Sequence, residues 1–148
     1  MSSAIKYHDQ FFYVSNMMFF RLIELALEVG EKTAETAAEK LCVSKLREKK
    51  NAETFWPGYD FAIETEFPLR DERKFWARVF FDVAHLIFCR EIGNHDITFW
   101  QYSTIGDAYL FGRMITRSVQ EEELGWFPKT MASIEGHEFY QKGMNVRL

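Results

Sequence analysis

Apolar residues recur at the spacing of an α-helix over long stretches of this chain, and that periodicity constrains the fold more than any other feature. Between Tyr7 and Val29, one series returns every three or four residues. Its members are Phe11, Val14, Met18, Leu22, Leu25 and Val29. Because an α-helix has about 3.6 residues per turn, these side chains share one face. A second apolar series, Phe12, Phe19, Ile23 and Leu27, lies beside the first. The pattern predicts a central, buried helix over Tyr7–Val29.

Other segments have a similar periodicity and together predict an all-α fold. The predicted helices are Tyr7–Val29, Thr33–Lys49, Asp71–Glu91, Asp96–Val119 and the short Thr130–Gln141. The length of 148 residues fits a single domain. We therefore expect residues 1–148 to form one helical domain, an irregular bundle of about four long helices and one short C-terminal helix.

Residues Asn51–Leu69 interrupt the helical pattern. Pro57 and Gly58 form a turn signal, and Phe61–Phe67 alternates apolar and polar residues as a short strand would. Since the sequence shows no strong partner strand elsewhere, we interpret this stretch as a loop or an edge element.

Two glycines, Gly106 and Gly112, lie inside the fourth predicted helix. Each costs roughly 1 kcal/mol relative to alanine in a helix. That cost favours a close helix–helix contact at these positions, with a kink as the alternative.

The charge and the aromatic content bear on the type of partner. The net charge is −4, whereas nucleic-acid binders usually have a basic excess. Nucleic acid is therefore not the expected partner, and a basic protein suits the charge better. Aromatic residues make up 17% of the chain, enough for a dense core and for interface anchors as well.

The N-terminal residues Met1–Lys6 lack the basic and apolar regions of a signal peptide. Charged residues interrupt the most apolar stretches, so the sequence predicts no membrane span. Its two cysteines do not make a secreted disulfide framework. We expect a cytoplasmic protein.

Motifs for metal, nucleotide or covalent chemistry are absent from the sequence. The four histidines include no His-x-x-His pair, and no glycine-rich phosphate loop or nucleophile elbow occurs. We expect neither a metal nor a cofactor, and a function other than catalysis is favoured.

Arg78, Asp82 and His85 are spaced to share one side of the third predicted helix. Such groups can activate a ribose hydroxyl and stabilise a phosphorane. The spacing resembles the Arg…His motif of HEPN-type ribonucleases, which are all-α, although Val79 stands where that family commonly has a polar residue. A helical ribonuclease using these residues is the alternative function. The simpler interpretation is an Arg78–Asp82 surface pair beside His85.

Acidic and aromatic residues are concentrated in two segments. The first, within Asn51–Leu69, contains no lysine or arginine; its candidate partner-binding residues are Glu53, Trp56, Tyr59, Asp60, Glu64 and Glu66. The second contributes Glu121, Glu122, Glu123, Trp126 and Phe127. Aromatic anchors among carboxylates suit docking onto a basic protein. Alternatively, the aromatics fix loops to the core while the acids face water.

This profile of small size, acidic charge and missing catalytic motifs resembles the bacterial immunity proteins of toxin systems, such as those paired with contact-dependent growth inhibition toxins. The resemblance implies a non-catalytic cytoplasmic inhibitor that binds a basic cognate toxin, in particular a nuclease. No motif defines that class, so no residue is carried over from it. A homodimer remains open.

Overall fold

Two strands precede the first helix, so the predicted all-α bundle is wrong. The computed structural model describes residues 2–52, 55, 58–89 and 99–125, and this part of the chain is α+β. Its elements are β1 Ser2–Tyr7, β2 Gln10–Ser15, α1 Asn16–Thr33, α2 Ala37–Asn51, β3 Asp60–Ala62, α3 Ile63–Glu66, α4 Arg70–Phe88 and α5 Phe99–Glu123. The predicted helix Thr130–Gln141 lies outside the described residues.

The strands form a mixed sheet in the order β2-β1-β3. β1 pairs with β2 in antiparallel fashion, from Ser2 opposite Ser15 to Tyr7 opposite Gln10. It pairs in parallel with β3, where Ile5 lies opposite Phe61. The link between β1 and β2 is the two residues His8 and Asp9, and His8 has a φ of 54°. A tight two-residue hairpin requires such left-handed backbone.

The predicted helix Tyr7–Val29 is correct only in its second part. In β2, Phe12 and Val14 are buried while Tyr13 is about half exposed, which is the two-residue period of a strand. Helix α1 begins at Asn16 because Ser15 caps it: the Ser15 hydroxyl accepts a hydrogen bond from the backbone N–H of Met18 at 3.1 Å.

The segment interpreted as a loop or edge element does contain a strand, and that strand has a partner. Asp60–Ala62 pairs with β1, and the chain then turns into the single helical turn of α3. The alternation over Phe61–Phe67 therefore extends well beyond the strand. β3 is only three residues long, too short for a sequence pattern to separate it from a loop.

The predicted helices Thr33–Lys49, Asp71–Glu91 and Asp96–Val119 correspond to α2, α4 and α5. The predicted end at Glu91 and the predicted start at Asp96 lie outside the described residues. α2 begins after Thr36 because Thr36 and Glu39 form a capping box. α4 and α5 pack closely where Gly112 faces Phe81; a Cβ at Gly112 would lie 3.1 Å from the Phe81 ring. The predicted close contact is confirmed at Gly112, whereas a Cβ at Gly106 would meet nothing within 4 Å.

Aromatic rings fill the core between the sheet and helices α1, α4 and α5. Phe80 and Phe111 stack with their centroids 4.0 Å apart, which joins α4 to α5. Phe61 of β3 lies 5.3 Å from Phe67 and from Phe111, centroid to centroid. The aromatic content of the sequence thus serves in large part to join the small sheet to the helices.

Candidate functional site

The three residues of the ribonuclease alternative share α4 but form no common site. The Arg78 guanidinium pairs with Glu39 of α2, with 3.1 Å between Nη2 and Oε2. His85 is exposed, and its Nε2 lies 3.6 Å from the Cys89 sulfur. Among the described residues, no hydrogen bond or ion pair joins Asp82 to Arg78. The predicted Arg78–Asp82 surface pair is therefore not formed.

In the first acidic segment, the carboxylates of the described residues have partners within the chain. Asp60 pairs with Lys6 across the sheet, with 2.8 Å between Nζ and Oδ2. Glu64 accepts a hydrogen bond from the backbone N–H of His8 at 3.2 Å, and its Oε1 lies 3.6 Å from the His8 Nδ1. The first contact ties β3 to β1, and the second ties α3 to the turn after β1.

Glu66 is buried at the end of α3. It accepts hydrogen bonds from the hydroxyl of Tyr59 and from Lys49 of α2, the latter at 2.7 Å. Tyr59 itself packs against the ring of Phe55, with centroids 5.0 Å apart. These two predicted partner-binding residues, Tyr59 and Glu66, therefore support the fold.

The second acidic segment is the C-terminal end of α5. Glu121 accepts a hydrogen bond from the Tyr7 hydroxyl and another from Arg117 Nε at 3.2 Å. Because Tyr7 is the last residue of β1, this contact fixes the end of α5 to the end of the central strand.

The next two carboxylates of α5 bind α4. Glu122 pairs with Arg73, whose side chain is fully buried. Glu123 pairs with Lys74 at 3.6 Å, and both of these side chains are about half exposed. The ion pair of Glu122 therefore involves a buried arginine, whereas the ion pair of the next residue, Glu123, is exposed.

The structure brings the two acidic segments together at the hairpin end of the sheet. Tyr7 binds Glu121 of the second segment, and the adjacent His8 binds Glu64 of the first. We call this end of the molecule the turn end and define it by Tyr7, His8, Glu64, Arg117 and Glu121. The remaining predicted residues, Glu53, Trp56, Trp126 and Phe127, lie outside the described residues.

Exposure separates the acidic residues into two groups. The side chains of Glu66 and Glu121 are 9% and 12% exposed, whereas those of Asp60 and Glu123 are 60% and 46% exposed. The first group holds elements together, and the second faces solvent. Both alternatives drawn from the sequence placed the acids at the surface. The buried acids therefore fit neither alternative, and the exposed acids are compatible with both.

Two tyrosines donate to carboxylates in this region, and their pKa values rise as a result. Burial, the hydrogen bond to Glu121 and the charge of Glu121 raise the pKa of Tyr7 well above its usual range. Burial and the hydrogen bond to Glu66 raise the pKa of Tyr59 in the same direction. Both hydroxyls therefore stay protonated in the folded protein at pH values where an unfolded tyrosine ionises.

We expect the free energy of unfolding to fall as the pH rises above about 10, the pKa of an unfolded tyrosine. The unfolded chain then releases tyrosine protons that folded Tyr7 and Tyr59 retain, so alkali favours unfolding. Urea titrations between about pH 8 and pH 11 measure this effect. A Tyr7→Phe/Tyr59→Phe variant should show a smaller fall. If all six tyrosines ionise near the unfolded pKa in the folded protein, the expectation is wrong.

A cleft between α2 and α4 was not predicted from the sequence. Two ion pairs span it, Glu39 with Arg78 and Lys45 with Glu72, each at 3.1 Å. From the first pair to the second, the residue number rises on α2 and falls on α4. The two helices therefore run antiparallel. The cleft has a volume of about 640 Å³.

Apolar atoms make up most of the exposed lining of the cleft. Cys42 and Phe75, midway between the two ion pairs on their helices, are among the lining residues, as are Leu41 and Leu69. These leucines are 61% and 63% exposed. The only sequence signal was the weak apolar pattern of α2, of which just Val43 and Leu46 are buried.

Nucleophilic chemistry is not favoured in this cleft. Burial, followed by the charge of Glu72, raises the pKa of the Cys42 thiol. A thiol with a raised pKa carries little thiolate at neutral pH, and the thiolate is the reactive form.

No protein-family model, curated protein or solved structure matches this chain. The proposed function therefore rests on the geometry of the molecule. Among the described residues, no group of three or more His, Cys, Asp or Glu side chains is arranged to hold a metal ion. Within the same residues, none of the helices combines the length and apolar character needed to cross a membrane.

Proposed function

We propose that this chain is a non-catalytic cytoplasmic protein that binds and neutralises a basic partner, as toxin-immunity proteins do. The observation that carries the proposal is the meeting of two sequence-distant acidic segments at the turn end, through the Tyr7–Glu121 and His8–Glu64 contacts. The partner in this proposal is a cognate toxin domain, in particular a nuclease with a basic surface. Such a surface and clustered carboxylates attract each other before contact.

The exposed acids are suited to recognition because their present partners are easily replaced. Asp60 pairs with Lys6 and Glu123 with Lys74, and all four side chains are substantially exposed. Exposed ion pairs of this kind contribute little stability, about 0–1 kcal/mol. A lysine or arginine from the partner can therefore take the place of Lys6 or Lys74 without disturbing the fold.

The ribonuclease alternative gains no support from the geometry of α4. The Arg78 guanidinium is held by Glu39, and it lies 5.3 Å from the centroid of the Phe75 ring. A general base for RNA cleavage would have to lie close to the arginine that stabilises the phosphorane. His85 instead contacts Cys89.

The partner to test is the protein encoded by the neighbouring reading frame. We expect Asp60→Lys/Glu123→Lys to slow its association with this chain roughly tenfold and to weaken the dependence of the rate on salt. Surface plasmon resonance at low and moderate ionic strength measures both quantities.

The matched control is Glu28→Lys/Glu48→Lys, which makes the same change in net charge on exposed positions of α1 and α2. We expect the control to associate faster than the test variant. Absence of a complex between the wild-type proteins at micromolar concentration, or equal slowing by both double variants, would overturn the proposal.

A further inference from the structure

We propose that the cleft between α2 and α4 is the docking site for a segment of that basic partner which presents apolar side chains and a lysine or arginine. This inference rests on the proposed function, and it assigns a second contact surface distinct from the turn end. The exposed carboxylates Asp60 and Glu123 steer the encounter, whereas the cleft holds the docked segment.

The apolar half of the recognition comes from the walls of the cleft. Leu41 and Leu69 are more than half exposed, and Ala38 and Phe75 lie with them along the same cleft. Leucine side chains gain free energy when they leave water, and exposed apolar patches mark interaction sites. Apolar side chains from a partner would cover both leucines.

The charged half of the recognition comes from Glu72. This residue is 4% exposed and lines the cleft, and its Oε2 accepts a hydrogen bond from Lys45 at 3.1 Å. In the part of the chain that the structure describes, its Oε1 is buried and has no hydrogen-bond partner. Buried carboxylate oxygens are normally paired, and an unpaired one is costly. Because this oxygen is covered in the structure, the Glu72 side chain has to turn towards the cleft before an ammonium or guanidinium group can supply the missing donor.

The other charges around the cleft are largely balanced, and Lys45 of the lining already pairs with Glu72. Arg78 is paired with Glu39, and Lys74 is paired with Glu123. Arg70 and Asp71, both exposed, bring opposite charges to the rim. A cation from the partner would therefore share the Glu72 carboxylate with Lys45, through the oxygen that Lys45 leaves unpaired.

The size and shape of the cleft suit a segment of chain. Its volume of about 640 Å³ falls in the usual range for ligand sites, about 300–1,000 Å³. A groove between two antiparallel helices also presents the surface on which amphipathic segments of other proteins dock. Several side chains from one face of such a segment would fill it.

The first test removes the apolar walls. We expect Leu41→Ser/Leu69→Ser to raise the dissociation constant for the neighbour-encoded protein about tenfold or more, mainly through faster dissociation. The association rate should change little, in contrast to the effect of Asp60→Lys/Glu123→Lys. The matched control is Met17→Ser/Phe88→Ser, which removes two apolar side chains that are 70% and 64% exposed outside the cleft.

The second test uses Cys42 as a probe within the cleft. In a Cys89→Ser background, iodoacetamide alkylation at about pH 9 is followed by mass spectrometry, since the thiol needs alkali to react. We expect saturating partner to slow alkylation of Cys42 by about fivefold or more. This measurement needs no variant of the cleft itself, so it remains informative if the leucine variants fold poorly.

The outcomes separate the two proposals. A wild-type complex that leaves Cys42 alkylation unchanged and tolerates the leucine variant would overturn the cleft and leave the proposed function intact. No wild-type complex would overturn both. Protection of Cys42 that grows with the concentration of this chain alone would identify a second copy as the occupant, and the basic segment would then be wrong.

Discussion

Replacing Arg73 with methionine is expected to lower the free energy of unfolding by about 3 kcal/mol. The Arg73 side chain is fully buried and donates hydrogen bonds to the carbonyl oxygens of Phe67 and Pro68, at 3.1 and 3.0 Å, and to Glu122. Methionine preserves much of the apolar stem but no donor. The Glu122 carboxylate, 28% exposed, then loses its buried cation, and water compensates only in part.

Urea titration of the two proteins measures the Arg73 effect. Lys74→Met is the matched control, because Lys74 is adjacent in α4 and its pair with Glu123 is exposed. We expect the control to cost less than about 1 kcal/mol. Equal losses in the two variants would show that the Arg73–Glu122 pair does not fix α5 to α4.

Replacing Phe61 with alanine is expected to cost about 3–5 kcal/mol of stability. Phe61 has no exposed surface, and its ring lies within 6 Å of the rings of Phe19, Phe67 and Phe111, centroid to centroid. Its removal leaves a cavity where β3, α1 and α5 meet, and close-packed rings cannot fully collapse into the space.

Phe88→Ala is the control for Phe61, since Phe88 is 64% exposed at the end of α4. Its loss should change the free energy of unfolding by no more than about 0.5 kcal/mol. Thermal and urea unfolding of both variants provide the comparison. A Phe61→Ala variant as stable as Phe88→Ala would indicate that this segment does not pack into the core.

Helical periodicity identified the long helices because an apolar face is a local property that repeats over many turns. At the N-terminus, the same periodicity predicted a helix where the chain forms strand β2. Phe11, Val14 and Met18 continue the helical spacing by coincidence, whereas the strand period in β2 covers only six residues. β3 is shorter still, and its partner β1 lies more than fifty residues earlier. Pairing over that distance leaves no local signal in the sequence.

The candidate sites were predictable in composition and not in geometry. The acidic segments are visible in the sequence, but their partners Tyr7 and Arg73 come from other elements. Whether a carboxylate faces the interior or the solvent depends on those partners. Similarly, Arg78 pairs with Glu39 of another helix, so the helical stripe containing Arg78 did not reveal its contact.

The central position of β1 has a consequence for synthesis of the chain on the ribosome. Its antiparallel partner follows after two residues, and a hairpin closes in about 1–10 μs. Its parallel partner emerges only after α1 and α2, a delay of several seconds at about 5–20 residues per second. During that interval one edge of β1 has open hydrogen-bonding groups, which can pair with other nascent chains. Slower translation lengthens this exposure, so expression yield should respond to elongation rate as well as to the stability of the finished fold.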